Sequence, residues 1–210
     1  MKGINKMKLI KLFSFLFLLL PLCSFNFQKK EPVSTLEKSI NDFSLRNTDN
    51  KIISLSDYKD AKGFMIVFTC NHCPFAKLYP ERFNALNLKY QSLGVPLIAI
   101  NSMDSLLYDD ESFELMQQKA KSEKFNFSYL HDADQKVGKD FNAKHTPHAF
   151  VIWKMNGSWV IKYSGAIDDN GEHPELATPY ISNAVDELLQ NKTVTKPETE
   201  SFGCAIFYRK

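Results

Sequence analysis

Two cysteines three positions apart, in Thr69-Cys70-Asn71-His72-Cys73-Pro74, are the residues of this chain best suited to chemistry. They follow the apolar run Phe64-Met65-Ile66-Val67-Phe68 and precede a helical pattern, so they stand where a buried strand ends and a helix is expected to begin. A thiol at a helix N-terminus faces unpaired N–H groups and the positive end of the dipole, both of which favour its thiolate. The thiolate is the species that attacks a disulfide. On this reading Cys70 is the attacking sulfur, and Cys73, held in the first helical turn, resolves the mixed disulfide. Two other uses of a CxxC pair stay open. A zinc site needs two more ligands, and Cys204 is the only further cysteine beyond the first 24 residues, so histidines would have to complete it. A purely structural disulfide needs only the pair.

Other residues could join this chemistry. His72 lies between the cysteines; as imidazolium it would stabilise the Cys70 thiolate and make the disulfide more oxidising, and otherwise it is an exposed turn residue. Thr146-Pro147 leads into the apolar run Ala149–Trp153, and a proline at the start of a strand is ordinary by itself. His145 and His148 flank that dipeptide and could reach the cysteines. Cys70, Cys73 and one histidine would then suit copper, a binding function rather than a catalytic one. Cys204, in Ser201-Phe202-Gly203-Cys204-Ala205-Ile206, reads either as a small buried hydrophobe or as a third redox thiol.

The elements that must position these residues alternate along the chain. Phe43–Leu45 and Lys51–Leu55 flank the turn-rich Asn47-Thr48-Asp49-Asn50, which predicts a hairpin, and Ser56-Asp57 can cap a short helical turn. Tyr79, Phe83, Leu86, Tyr90 and Leu93 keep helical spacing, Gly94 is placed to stop that helix, and Pro80 should kink it or mark a break. A second buried strand is expected at Val95–Ile100. Asp109 or Asp110 is expected to cap a helix over Glu111–Lys124 with Phe113, Met116 and Ala120 on one face. Then come a short strand, Phe127–Leu130, and a short helix, Gln135–Phe141. Strands Ala149–Trp153 and Trp159–Tyr163 join around Asn156-Gly157, a strong hairpin signal. Thr178-Pro179 opens a last helix with Ile181, Val185, Leu188 and Leu189 buried.

The N-terminus is set apart from this pattern. Lys2, Lys6, Lys8 and Lys11 precede or open the apolar run Leu12–Leu22, which is shorter than the roughly 20 residues of a membrane-spanning helix. Charge, short apolar run, then small or polar residues is the order of a secretory signal. Cys23 allows a lipid anchor instead, and an uncleaved membrane tether is the third option; all three place the body outside the cytoplasm. The expected organisation is therefore a signal peptide at 1–24, a linker at 25–34, one domain at 35–192 and a C-terminal tail at 193–210. Without its four lysines the first segment leaves 22 basic against 24 acidic side chains, a near-neutral body that offers nothing to nucleic acid. With 44% apolar and 24% charged residues the chain is neither disordered nor a polytopic membrane protein.

The order strand, Cys70-x-x-Cys73, helix, strand, helix, strand, then Thr146-Pro147, a hairpin and a helix resembles the thioredoxin superfamily. Asn71-His72-Cys73-Pro74 with Thr146-Pro147-His148 and the terminal Gly203-Cys204 is similar to its redoxin branch, related to the AhpC/TSA proteins. The resemblance spans about residues 35–208. It implies an α/β thioredoxin-like fold, a central mixed sheet with helices on both faces. It also implies a cis Pro147 opposite the cysteines and a Thr146 backbone that pairs with an extended substrate segment. Two departures stand out: Thr69 replaces the usual aromatic residue, and Phe64–Phe68 carries no buried acid, which leaves proton transfer unassigned. The upstream Pro and Thr or Ser of a peroxidatic cysteine are missing from Gly63–Cys70, so thiol peroxidase activity is the runner-up. The expected function is exported thiol–disulfide oxidoreduction on protein or small-thiol disulfides, in a bacterial periplasm or on the outer face of the membrane. It would need no cofactor, no resident metal and an unidentified redox partner, since two thiols carry both electrons.

Overall fold

The computed structural model describes residues 37–210; the expected signal peptide, and the linker up to residue 34, lie outside the described residues. Among the described residues no helix is long and apolar enough to cross a membrane. The described residues form ten strands, starting with β1 (Ser39–Ile40), β2 (Ser44–Asn47) and β3 (Ile52–Ser54). The β2–β3 hairpin turns at Asn50, whose positive φ of 70° suits asparagine. Asp57 accepts from the backbone N–H of Ser54 at 2.7 Å and opens a 3-10 turn over Leu55–Asp57.

The middle of the sheet is β4 (Gly63–Phe68), buried at every residue. It pairs in parallel with β5 (Leu97–Asn101), which pairs in parallel with β6 (Ser128–His131). On its other side β4 runs antiparallel to β8 (His148–Met155), and β8 to β9 (Ser158–Gly165) through the Asn156-Gly157 turn. Both turn residues have positive φ, 50° and 85°, as a two-residue hairpin of this hand requires. The order β1-β9-β8-β4-β5-β6-β2-β3 makes a mixed sheet of eight strands. A separate two-stranded piece joins β7 (His145–Thr146) to β10 (Cys204–Ala205).

Helices α1 (Pro80–Tyr90), α2 (Phe113–Ser122) and α4 (Tyr180–Leu189) bury Phe83, Met116, Ile181 and Val185 on one face of the sheet. Helix α3 (Lys136–Phe141) buries Val137 and Phe141 on the other, with Phe68, Phe150 and both cysteines of the pair. This is the α/β thioredoxin-like fold, a mixed sheet covered by helices on both faces.

One local expectation needs correction, the cap of α2, and two others gain detail. The helix after the cysteines is interrupted: Ala76–Leu78 form a 3-10 turn, and α1 starts afresh at Pro80. Of the two roles expected of Pro80 it takes the break and not the kink, because at the first helical position its missing N–H would have no partner anyway. Neither Asp109 nor Asp110 caps α2; Asp109–Glu111 wind into a 3-10 turn, and extended Ser112 precedes the helix. The tail without a period is ordered by side chains of the domain. Gln135 Nε2 donates to the Phe207 carbonyl at 2.8 Å, Gln135 Oε1 accepts from the Arg209 N–H at 2.8 Å, and Tyr208 donates to the Ala143 carbonyl at 2.7 Å.

Candidate functional site

Strand β4 delivers the chain to Cys70 at the centre of the sheet, and the short turn after it returns Cys73 to the same place. Both cysteines are 0% exposed and both are free thiols. They meet on one residue of β7. Cys73 Sγ donates to the Thr146 carbonyl at 3.0 Å, and Cys70 Sγ lies 3.1 Å from the Thr146 hydroxyl. The Thr146–Pro147 peptide is cis. Cys70, Cys73, Thr146 and Pro147, far apart in the chain, thus come together as one group.

The acid missing from β4 is supplied from elsewhere. Glu111, 0% exposed in the turn before α2, reaches the loop between the cysteines. Its carboxylate accepts from the backbone N–H groups of Asn71 (2.9 Å) and His72 (2.9 Å), and from Asn101 Nδ2 at 2.6 Å. His72 Nδ1 pairs with Glu111 Oε1 at 2.5 Å, and its ring stacks on Tyr108. Cys70, His72 and Glu111 keep their ligand atoms within 4.8 Å of one another. From α2, Lys119 Nζ donates to the Cys70 carbonyl at 2.8 Å, and burial pushes the Lys119 ammonium pKa down. Nothing in the sequence pattern singled out Glu111. Among three consecutive acids ahead of a helix, capping was the simpler role, and burial of the third depends on its distant partners.

This arrangement bears on the two thiols unequally. The N–H groups that were to stabilise a Cys70 thiolate are bonded to Glu111 instead. Cys70 is pushed up by the neighbouring Cys73, by burial, and by the Glu111 carboxylate beside it. Cys73 is pushed down by the neighbouring Cys70, and further by Cys204 and the Ala76 backbone.

Cys204 also joins the group. Strand β10 runs antiparallel to β7 with Cys204 opposite Thr146 and Ala205 opposite His145. The chain's own tail therefore fills the backbone edge that the resemblance assigned to a substrate strand. The other histidines stay apart from the sulfurs. His148 accepts from the Lys144 N–H through Nδ1 and meets the Ser164 hydroxyl through Nε2, while His145 Nδ1 meets the Ser201 hydroxyl. A copper set drawn from Cys70, Cys73 and either of them is not assembled. The cavity that they line, about 710 Å³ beside Lys38, Ser164 and Glu198, includes none of the three cysteines.

The AhpC/TSA family matches residues 36–169. No curated protein matches the chain. Among solved structures, a hypothetical protein of Sinorhizobium meliloti 1021 is 29% identical with a TM-score of 0.75, over 83% of this chain and 95% of its own. An uncharacterised conserved protein of Geobacillus kaustophilus is 31% identical with a TM-score of 0.75, over 85% and 94%. A peroxidoxin of Mycobacterium tuberculosis, BcpB, is 14% identical with a TM-score of 0.52 over 74% and 94%, and shares the fold.

Proposed function

The chain belongs to the AhpC/TSA family, a thioredoxin-like redox family, and from that footing we propose that it is a thiol–disulfide oxidoreductase whose working pair is Cys70 and Cys73. The observation that carries this reading is the seating of both sulfurs on Thr146, at 3.0 and 3.1 Å, next to Pro147. Two thiols in mutual reach can close into a disulfide and pass two electrons to a protein or small-thiol disulfide, without an added cofactor. The Cys73 thiolate attacks, and Cys70 resolves once its proton has left. Glu111, within 4.8 Å of Cys70, is the base placed to receive that proton. His72 shares the Glu111 carboxylate and so tunes it instead of bonding to sulfur.

The N-terminal pattern supports action outside the cytoplasm, in the periplasm or on the outer membrane face, with a redox partner that recycles the pair. Family membership also makes thiol peroxidase activity the competing reading. The experiment compares initial rates of the reduced protein with oxidised glutathione and with hydrogen peroxide. Disulfide reduction is expected to be the faster and to slow in Cys70→Ser and Cys73→Ser. Rapid peroxide turnover that depends on either cysteine would award the protein to the peroxidase reading.

A further inference from the structure

We propose that Cys204 is a third redox thiol: external disulfides react at Cys204 and the C-terminal strand hands the oxidation to Cys73 and then to Cys70. The proposal rests on the disulfide-exchange reading above and adds the route by which a sealed pair meets its substrate. Three observations on separate residues support it.

The first is access. Cys70 and Cys73 are 0% exposed, whereas Cys204 is only partly buried. Disulfide exchange needs the attacking sulfur to approach along the breaking S–S bond, which buried sulfurs cannot offer a bulky substrate. The second is placement. Strand β10 sets Cys204 opposite Thr146, whose carbonyl already holds Cys73 Sγ, and Cys204 packs against the buried cluster that contains both cysteines of the pair. The third is that the tail is held on both sides of Cys204. Phe202 packs edge-on against Phe75 at 5.9 Å, Ile206 is buried with its N–H on the Lys144 carbonyl at 2.9 Å, and Gln135 clamps Phe207 and Arg209. Gly203 makes the closest approach. Its φ is +145°, and a Cβ there would collide with the Thr146 carbonyl oxygen. A segment fastened in this way is a fixture of the site, not a lid waiting to open.

The exchanges balance without any co-reactant beyond the substrate. Cys204, partly open to water, loses its proton to solvent and attacks a substrate R–S–S–R. The substrate S–S bond breaks, a Cys204–S–S–R bond forms, and one thiolate RS⁻ leaves to be protonated by solvent. Cys73 then loses its proton to solvent and attacks the Cys204 sulfur, forming a Cys73–Cys204 disulfide and releasing the second RS⁻. Cys70 loses its proton to Glu111 and attacks the Cys73 sulfur. The Cys70–Cys73 disulfide forms, and Cys204 leaves as a thiolate that recovers a proton. Two electrons have passed from the Cys70–Cys73 pair to the substrate, and Cys204 ends as it began. The substrate class implied is a disulfide exposed enough to meet a surface thiol, rather than an extended strand laid along Thr146.

The experiment treats the reduced full chain, Cys70→Ser, Cys204→Ser and Gly203→Ala with oxidised glutathione and maps the bonded thiols by mass spectrometry over time. In Cys70→Ser the relay stops one step early, so a Cys73–Cys204 disulfide is expected to accumulate. Cys204→Ser and Gly203→Ala are expected to form the Cys70–Cys73 disulfide at least tenfold more slowly than the wild type. Their thermal unfolding is read alongside, and Cys204→Ala serves if Cys204→Ser unfolds. A wild type that never forms the Cys70–Cys73 disulfide defeats the oxidoreductase reading itself. A wild type that forms it, with Cys204→Ser forming it as fast or faster, overturns the relay alone. So does glutathione found on Cys73 of Cys70→Ser while Cys204 remains a free thiol.

Discussion

Replacing Glu111 by glutamine removes one negative charge from beside Cys70 with almost no change of shape. Their ligand atoms lie within 4.8 Å. At an effective dielectric constant of about 20, two charges at that separation interact by roughly 3.5 kcal/mol, or about 2.5 pKa units. The His72 ring on Oε1 already offsets part of that charge, so about 1–2 units are expected to reach the sulfur. The sign is set by the identity of the charged form: without a neighbouring carboxylate a thiolate on Cys70 is less costly, so the pKa falls. Because the two thiols titrate as a coupled pair, the observable is the upper of two macroscopic values. Thiolate ultraviolet absorbance against pH in the reduced protein reads both, with Glu114→Gln, an exposed change of equal charge, as the control.

Glutamine also presents an N–H₂ where the carboxylate took only donors. The backbone of Asn71 and His72 and the Asn101 amide compete for the one oxygen that remains, leaving at least one buried donor unpaired. That costs about 1–3 kcal/mol, which an ordinary domain survives. The expected result is a folded protein of lower melting temperature whose upper thiol pKa has dropped by about 1–2 units. An upper pKa that stays in place, or rises, in folded Glu111→Gln would refute the assignment of Glu111 to Cys70.

Burial holds His148 far below its ordinary value, at about 3, helped by the nearby positive charges of His145 and Lys144. Its folded pKa is depressed, so the unfolded chain binds the extra proton. Stability is full above about pH 6.5 and falls by up to ~1.4 kcal/mol per unit as pH drops toward 3. Denaturant midpoints of His148→Gln should show a flatter dependence between pH 6.5 and 4, and an unchanged slope would contradict it. Arg82 on α1 pairs with Asp168 at 2.6 Å, where Asp168 is 4% exposed and also accepts from the Tyr79 hydroxyl. Arg82→Met leaves that carboxylate without its cation and is expected to cost ~3 kcal/mol, which lowers the melting temperature by roughly 6–12 °C. A calorimetric shift below about 2 °C would show that the pair contributes little.

The strands and the cysteine pair were legible in the sequence because each rests on neighbours along the chain. Phe64–Phe68 is apolar at every position, and a strand buried on both faces has no other way to read. Asn156-Gly157 carries the positive φ of its own hairpin. What could not be read depends on groups that meet only in space. The helix-terminus argument for Cys70 assumed that N–H groups at 71 and 72 were free, whereas a carboxylate from Glu111 takes them. The break of the helix before Pro80 removed the rest of that argument.

The tail shows the same limit with a larger consequence. Ser201–Ile206 has no period because its strand is two residues long and its remaining bonds run to Gln135, Thr146 and Lys144 rather than along itself. A short edge such as His145–Thr146 leaves main-chain groups that must be paired by something. The resemblance supplied a substrate for that role, and the protein supplies Cys204 and Ala205. An edge satisfied from within has no main-chain groups left to recognise a second strand there. Selectivity must then come from whatever surrounds partly exposed Cys204, whose stretch of tail carries the exposed Phe202, packed on Phe75, and the exposed Phe207. That surface favours disulfides flanked by apolar groups, and for this reason oxidised glutathione should prove a slower substrate than a disulfide whose neighbours are hydrophobic. Equal rates with a hydrophobic and a charged aromatic disulfide of the same size would show that those phenylalanines play no part.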